Sequence, residues 1–210
     1  IQLVKNIPVS AGLAGGSGNA AATLIALNKL WDLRLRIPQL LPLARKLGAD
    51  VSYCMYGGPV AATLRGDCLA PLPLVSGLWF VLVHPPIAVS AAQVYGHSQL
   101  GHSEETPFAG RTLGFRKAIR AFAARDMKNV VYNRMEAPVF SASKHLAPIK
   151  KHLLEVGCEA AGMSGSGPTI FGVCNSQQQA LRVAEKLQQQ GMTYRTSVVS
   201  TVPVGVERIA

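Results

Sequence analysis

Two short stretches are dense in glycine, "PVSAGLAGGSG" at residues 8–18 and "GSGP" at residues 165–168; the first carries residue types suited to holding an anion, and the second reads as a β-turn. Glycine opens backbone N–H groups to close approach, at an entropic cost that a chain bears only where side chains would obstruct. The first stretch runs into "NAAA", so its amides are expected at the N-terminus of a helix. Unpaired N–H groups and the helix dipole there favour phosphate or carboxylate. A phosphate loop of the GxxxxGK[ST] kind is excluded, because Asn19 follows Gly18 and no lysine is available. Gly16 to Ala21 does fit GxGxxA, a dinucleotide turn. The acidic residue due about twenty positions on is missing, since Asp32 comes too early and Asp50 too late. A nicotinamide enzyme remains an alternative that a titration with NADH would test. "GSGPTIFG" fails GxGxxG because Ile170 stands where the pattern's third glycine is due, which argues against a second dinucleotide site. Asp50, near the start of "ADVSYCMY", is a carboxylate that either caps a helix or works on a substrate hydroxyl.

The elements that must position these residues read as an α+β pattern. "IQLVKNIPV" suggests a strand, followed by the glycine loop and a helix from about Asn19 to Trp31 that buries Leu24, Leu27 and Trp31. A second helix is expected from about Pro38 to Leu47, with Gly48 at its end, and a third over "ADVSYCMY". "GGPVAATLRGD" suggests a turn and strand, and "APLPLVSG" a boundary between domains. Strands are expected again over "LWFVLVHPP", "PTIFGVC" and "YRTSVVSTV", with helices near 113–126 and 141–156. Ser176 and Gln179 form a capping box for a helix running to about Gln190, which Gly191 stops.

Composition narrows the function classes. Hydrophobic residues make up 49% and charged residues 15%, enough for a substantial core. No apolar run reaches membrane-spanning length. Cys54, Cys68, Cys158 and Cys174 form no CxxC pair, and the histidines show no metal-ligand spacing, so buried free thiols are expected and a protein-held metal is not. A formal charge of +10 favours anionic partners. Its one local concentration, Arg111 to Lys128, interleaves with Phe115, Ile119 and Phe122 at helical spacing. That describes an amphipathic helix with a solvated basic face rather than a nucleic-acid stripe.

Taken together, "KNIPVSAGLAGGSGNAAATLIALNKLW", "LGADVSYCMYGGPVAATLRG", "VLVHPPIAVSAAQVY", "NRMEAPVF" and "GMSGSGPTIFGVC" stand in the order in which GHMP kinases carry their motifs. The sequence resembles that superfamily over most of its length. Within it, the sequence is most similar to the branch acting on a cytidine-diphosphate-linked methylerythritol in non-mevalonate isoprenoid synthesis. The resemblance implies a two-domain α+β GHMP fold: residues 1–76 as an ATP-binding domain incomplete at its N-terminus, and residues 77–210 as a ferredoxin-like domain. It implies ATP and Mg²⁺ as cofactors. Pro8, Val9, Ser10, Ala11, Gly12, Leu13, Ala14, Gly15, Gly16, Ser17 and Gly18 would wrap the triphosphate. Asp50 would be the catalytic carboxylate, Tyr95 would stack on cytosine, and Gly165, Ser166 and Gly167 would form a second loop at the substrate.

The sequence departs from the family pattern at Gly18, where a hydroxyl residue is usual, at Ser52, where proline is usual, and at Ala91, where threonine is common. The family's first segment, with its lysine and cytidine-binding residues, is not in the sequence. The chain is therefore expected to be the larger, C-terminal part of such an enzyme, with negligible transfer by itself. The resemblance further implies a small-molecule substrate and no nucleic-acid or membrane partner. It also implies a monomer or homodimer, in the cytoplasm or, in a plant, the plastid stroma. Two other readings stand beside it: a GHMP-fold protein that binds nucleotide or sugar without turnover, and a GHMP kinase for another small molecule.

Overall fold

The computed structural model describes residues 2–63, 66, 68–73, 75, 77–87, 89, 113–202 and 205. Its chain divides into two compact units. The first comprises the described residues of Ile1–Leu13, Val75–Ser103 and Lys117–Thr201. The second comprises those of Ala14–Leu74, Glu104–Arg116 and Val202–Ala210.

The second unit is built on three helices, α1 (Gly15–Leu30), α2 (Ile37–Leu47) and α3 (Ala49–Tyr56). Ala21, Leu40, Ala44, Val51 and Met55 form their shared core, with Leu24 and Ile25 packed beside it. Ala21 and Ala44 are fully buried, and their small side chains let the helix axes come close. Asn28 fixes the connection from α1 to α2, donating to the carbonyl of Leu35 at 2.9 Å and accepting from its N–H at 3.0 Å. A two-stranded antiparallel ribbon, β1 (Val60–Thr63) with β2 (Cys68–Pro71), follows.

The first unit is a four-stranded antiparallel sheet covered by helices. Its strands are β3 (Trp79–His84), β4 (Ala160–Met163), β5 (Ile170–Cys174) and β6 (Arg195–Ser200), in the order β4-β5-β3-β6. Between β3 and β4 lie α4 (Leu113–Ala123), α5 (Met127–Val130), α6 (Glu136–Ala142) and α7 (Leu146–Glu155), and α8 (Gln177–Gln189) joins β5 to β6. Read from β6, this is the 4-1-3-2 order of a ferredoxin-like βαββαβ unit. The period-two alternation of the strands sorts the core into two faces. Val81, Val83, Ile170 and Cys174 meet Leu146, Ile149 and Leu153 of α7 and Ala180, Val183 and Leu187 of α8. On the other face Phe80, Phe171 and Val173 join Leu78, Met127 and Phe122, with the Phe80 and Phe171 rings edge-to-face at 6.1 Å.

Several sequence expectations are revised. "IQLVKNIPV" is not a strand: no ladder pairs residues 2–9 among the described residues, and Leu3, Val4, Ile7 and Val9 are exposed. An apolar run becomes a strand only where a partner takes its backbone groups. Helix α1 begins at Gly15 rather than Asn19, so the last glycines of the loop are already helical. Trp31 lies beyond the last turn as the C-cap residue and is 62% exposed instead of buried. The single helix expected over 141–156 is two, α6 and α7, separated at Ser143, whose backbone leaves the helical region at φ −131°, ψ 76°. Strands β2 and β4, four residues each, are too short to show a period. Arg116, Lys117 and Arg120 are exposed while Phe115, Ile119 and Phe122 are half-buried, the amphipathic helix expected of the basic segment. All four cysteines are free.

His84 ends β3 in a buried position, with Nδ1 3.3 Å from Thr169 Oγ1 and Nε2 3.2 Å from Ser197 Oγ. Burial, and then the positive charge of Arg195 opposite it in the ladder, hold its pKa below the ordinary histidine value. The folded protein thus binds fewer protons here than the unfolded chain does. The contribution is whole above about pH 6.5 and is lost as pH falls below that. Thermal unfolding of the wild type should therefore move to lower temperature between pH 7.5 and 5.5. The move should be smaller in His84→Asn, and an equal displacement in both would remove His84 as the source.

Candidate functional site

The glycine-rich stretch 8–18 is shared by the two units, Pro8–Leu13 in the first and Ala14–Gly18 in the second. Each half offers backbone amides, for different physical reasons.

In the sheet unit the stretch folds against the loop that joins β4 to β5. Ser164 Oγ donates to the Gly12 carbonyl at 2.9 Å, and Thr169 N–H donates to the Ala11 carbonyl at 3.4 Å. The β4–β5 loop is a tight turn, closed by Gly167 N–H on the Ser164 carbonyl at 2.9 Å and followed by a cis Gly167–Pro168 peptide. Gly12 is a glycine by necessity. Its φ is +71°, and a Cβ there would strike the Ser164 carbonyl oxygen and lie 2.7 Å from that of Gly167. Gly165, at φ +55°, would bring a Cβ to 3.2 Å from the Gly12 carbonyl oxygen. The two glycine-dense stretches are therefore brought together, through a hydrogen bond between residues 152 apart along the chain. No local pattern singles out Ser164, because its partner is so remote.

Left-handed backbone recurs at Ser10 (φ 55°), Gly12 (φ 71°) and Ala14 (φ 50°). Two of these are not glycine, and each costs of order 1–3 kcal/mol.

In the helical unit, α1 starts without a side-chain cap, and Ala14 at the N-cap position has nothing to offer one. The first turn, Gly15-Gly16-Ser17-Gly18, holds no acidic residue that would compete for the positive end of the dipole. A Cβ on Gly16 or Gly18 would meet nothing within 4 Å among the described residues, and neither has a positive φ. Neither packing nor conformation within the unit requires glycine there. What these glycines preserve is open space over uncapped amides.

Asp50 belongs to the same unit as the start of α1, in the first turn of α3. It is not the cap: Gly48 holds that position without a side-chain bond. The carboxylate is exposed and has no hydrogen bond or ion pair among the described residues, so it stands free at the positive end of a helix. Its charge is felt by Cys54, whose thiol pKa is raised by burial and then by Asp50. Ser52, fully buried one residue pair further on, leaves its Oγ without a partner. Tyr95 and Ala91 lie outside the described residues. Among the described residues no three His, Cys, Asp or Glu side chains cluster as metal ligands. No helix among them is long and apolar enough to cross a membrane.

Comparison with known proteins places this geometry. The family model described as GHMP kinases N terminal domain matches residues 1–58, and the one described as GHMP kinases C terminal matches residues 109–192. The 4-diphosphocytidyl-2-C-methyl-D-erythritol kinase of Geobacillus kaustophilus is 40% identical over 183 residues, covering 87% of this chain and 62% of the relative. The enzyme of that name from Bacillus cereus is 40% identical over 186 residues, with the same coverage. The chain thus spans 62% of the length of these curated relatives. A crystal structure of 4-(cytidine 5'-diphospho)-2C-methyl-D-erythritol kinase superposes with a TM-score of 0.75 at 31% identity, covering 96% of this chain and 69% of that one. A homoserine kinase from Cytophaga hutchinsonii shares the fold, with a TM-score of 0.73 at 21% identity over 96% of this chain and 69% of its own.

The two kinds of glycine give opposite expectations. Gly18→Ala should stabilise the fold by about 0.5–1 kcal/mol, the ordinary gain of alanine over glycine within a helix. Gly12→Ala should destabilise it by at least about 1–2 kcal/mol, for the left-handed backbone alone. Urea unfolding of the two variants measures both, and a stability loss in Gly18→Ala would show that its open space is not free.

Proposed function

This chain belongs to the GHMP kinase family, and from that premise we propose that it acts as an ATP-dependent kinase. The reading is phosphorylation of the 2-hydroxyl of 4-diphosphocytidyl-2-C-methyl-D-erythritol in isoprenoid biosynthesis. The observation that carries it is the first turn of α1: uncapped amides under glycines whose missing side chains serve nothing inside the unit. That is a cradle suited to an anion, a polyphosphate among them. The curated relatives, at 40% identity, support the choice of substrate. We take 1–76 and 77–210 as the family's two domains and place the protein in the cytoplasm, where its free cysteines would stay reduced.

In this reading the backbone N–H groups of the 8–18 stretch hold the phosphates, and the turn of Gly165, Ser166 and Gly167 faces the substrate, with the Gly167 N–H spent on the Ser164 carbonyl and those of Gly165 and Ser166 left to serve it. Tyr95 keeps its role as the ring for cytosine. When bound, ATP supplies the γ-phosphoryl group, and Mg²⁺ neutralises charge between phosphate oxygens. Magnesium is commonly held largely by substrate phosphates and water, so the Ser17 hydroxyl in the first turn of α1 would hold it beside the ATP phosphates. Phosphoryl transfer asks little covalent chemistry of a protein; it needs alignment and charge stabilisation that is already in place. Fixed amides of the cradle meet this need, because they do not reorganise as charge develops. Asp50, without a hydrogen bond or ion pair among the described residues, would orient the substrate hydroxyl and accept its proton.

The test is phosphoryl transfer from ATP to the cytidine-diphosphate substrate by the full-length protein, with mevalonate, homoserine and galactose as competing acceptors. Binding of ATP and substrate without transfer would favour a GHMP-fold binding protein instead. In the active protein, Asp50→Asn should lower kcat by about two to four orders of magnitude while the KM for ATP stays within a few-fold. Turnover near the wild-type rate would leave Asp50 no part in the chemistry.

A further inference from the structure

The loop that carries Gly165, Ser166 and Gly167 is fastened on its outer side by residues the proposed reaction does not use. β4 is an edge strand, and its last residue, Met163, pairs with Ile170 on the inner side only. On the outer side the Met163 N–H donates to Glu136 Oε1 at 2.8 Å, and Asn133 Nδ2 donates to the Met163 carbonyl at 2.8 Å. The same Asn133 Nδ2 reaches the Gly165 carbonyl at 2.7 Å, inside the loop itself. Asn133 is anchored in turn, its Oδ1 accepting from Met135 N–H at 2.9 Å. Glu136 is anchored by Lys150, whose Nζ lies 2.6 Å from Oε2 with both side chains largely buried. The segment bearing these residues lies so near that a Cβ on Gly162 would be 2.7 Å from Val131 Cγ1.

Two carbonyl oxygens aimed at one carboxamide form a two-point clamp. One point is the end of a strand and the other is the first glycine of the turn, so the clamp sets the angle at which the turn leaves β4. Ser164, between the two points, passes that setting to the Gly12 carbonyl. We propose that Asn133 is a positioning residue for the active site, one that presets the 165–167 loop, and through Ser164 the Gly12 segment, for the bound substrates. The proposal rests on the kinase reading. Asn133 touches Gly165 directly and Gly12 only through Ser164, so its loss acts first on the acceptor substrate and less on ATP.

Asn133→Asp isolates the effect. It keeps the size and the acceptor for Met135 N–H but replaces two donated hydrogen bonds by an oxygen facing two carbonyls. In the full-length protein, amide exchange should quicken about tenfold or more at Gly167 and Thr169, with the β3 amides unchanged. The KM for the alcohol substrate should rise about tenfold or more, while the KM for ATP moves less than about threefold. Asn133→Ala, which leaves the carbonyls to water without adding charge, should show the same pattern more weakly and stands in if the aspartate variant does not fold. Unaltered exchange at Gly167 and Thr169 in a folded variant would overturn the proposal. So would faster exchange with both KM values unchanged. Absence of transfer by the wild type would overturn the kinase reading by itself, before any variant is compared.

Discussion

The contact between Gly12 and the Ser164–Gly167 turn is the constraint on which the sheet unit's share of the site depends. It is a meeting of main chain with main chain, so close that Gly12 has no room for a side chain and one on Gly165 would be tight. Side-chain packing tolerates substitution by repacking, whereas two backbones in contact have no rotamers to adjust. The sheet then has a defined task. Strands β4 and β5 present the turn, β3 and β6 back them, and α7 and α8 cover the apolar face. His84 and Thr169 stand immediately behind the turn, so even the polar part of the core is arranged around it.

The helical unit solves a different problem. A helix N-terminus in a folded protein ordinarily ends on a serine, threonine, aspartate or asparagine that satisfies its free amides. α1 ends on Ala14 in a left-handed conformation, and α3 on a glycine. α1 forgoes a stabilisation of about 1 kcal/mol and α3, with its glycine cap, only a few tenths, and the first turn of α1 adds the entropic cost of three glycines. The rest of α1 offsets this with Ala21 and Leu24 in the helical core. Local instability is held where a ligand would relieve it, and the packing that carries it lies further along the same helix.

How far the sequence disclosed this follows from the range of the interactions. Strand β3 was legible in "LWFVLVHPP" and α8 in Ser176 with Gln179, because an apolar run and a cap act within a few residues. The glycine stretches were legible as candidates, since their density has no other economical cause. That they touch was not legible, because a hydrogen bond between Ser164 and Gly12 leaves no trace in either neighbourhood. Strand β4, "AAGM", hid for a related reason: its glycine is there because Val131 and Phe171 crowd Gly162, a demand imposed from outside the segment. "IQLVKNIPV" misled in the opposite direction, showing the composition of a strand where no ladder forms among the described residues. Asp50 was legible as a residue of two possible roles, and only the geometry removed the capping one.

The sheet of the first unit ends in two edges, and they differ in how they meet other chains. At β4 the outward N–H and carbonyl of Met163 are already taken by Glu136 and Asn133, so an incoming strand finds its first pair of hydrogen-bonding sites occupied. At β6 the deterrent is electrostatic: Arg195 opens the strand, exposed and charged, and its guanidinium donates to the Asn6 carbonyl at 3.3 Å. Charged residues on an edge discourage strand addition by forcing a desolvation on any partner that pairs there. The bonds that fasten the 165–167 turn thus also keep part of the β4 edge from pairing with another chain. A substitution that loosens them would free a strand edge at the same stroke.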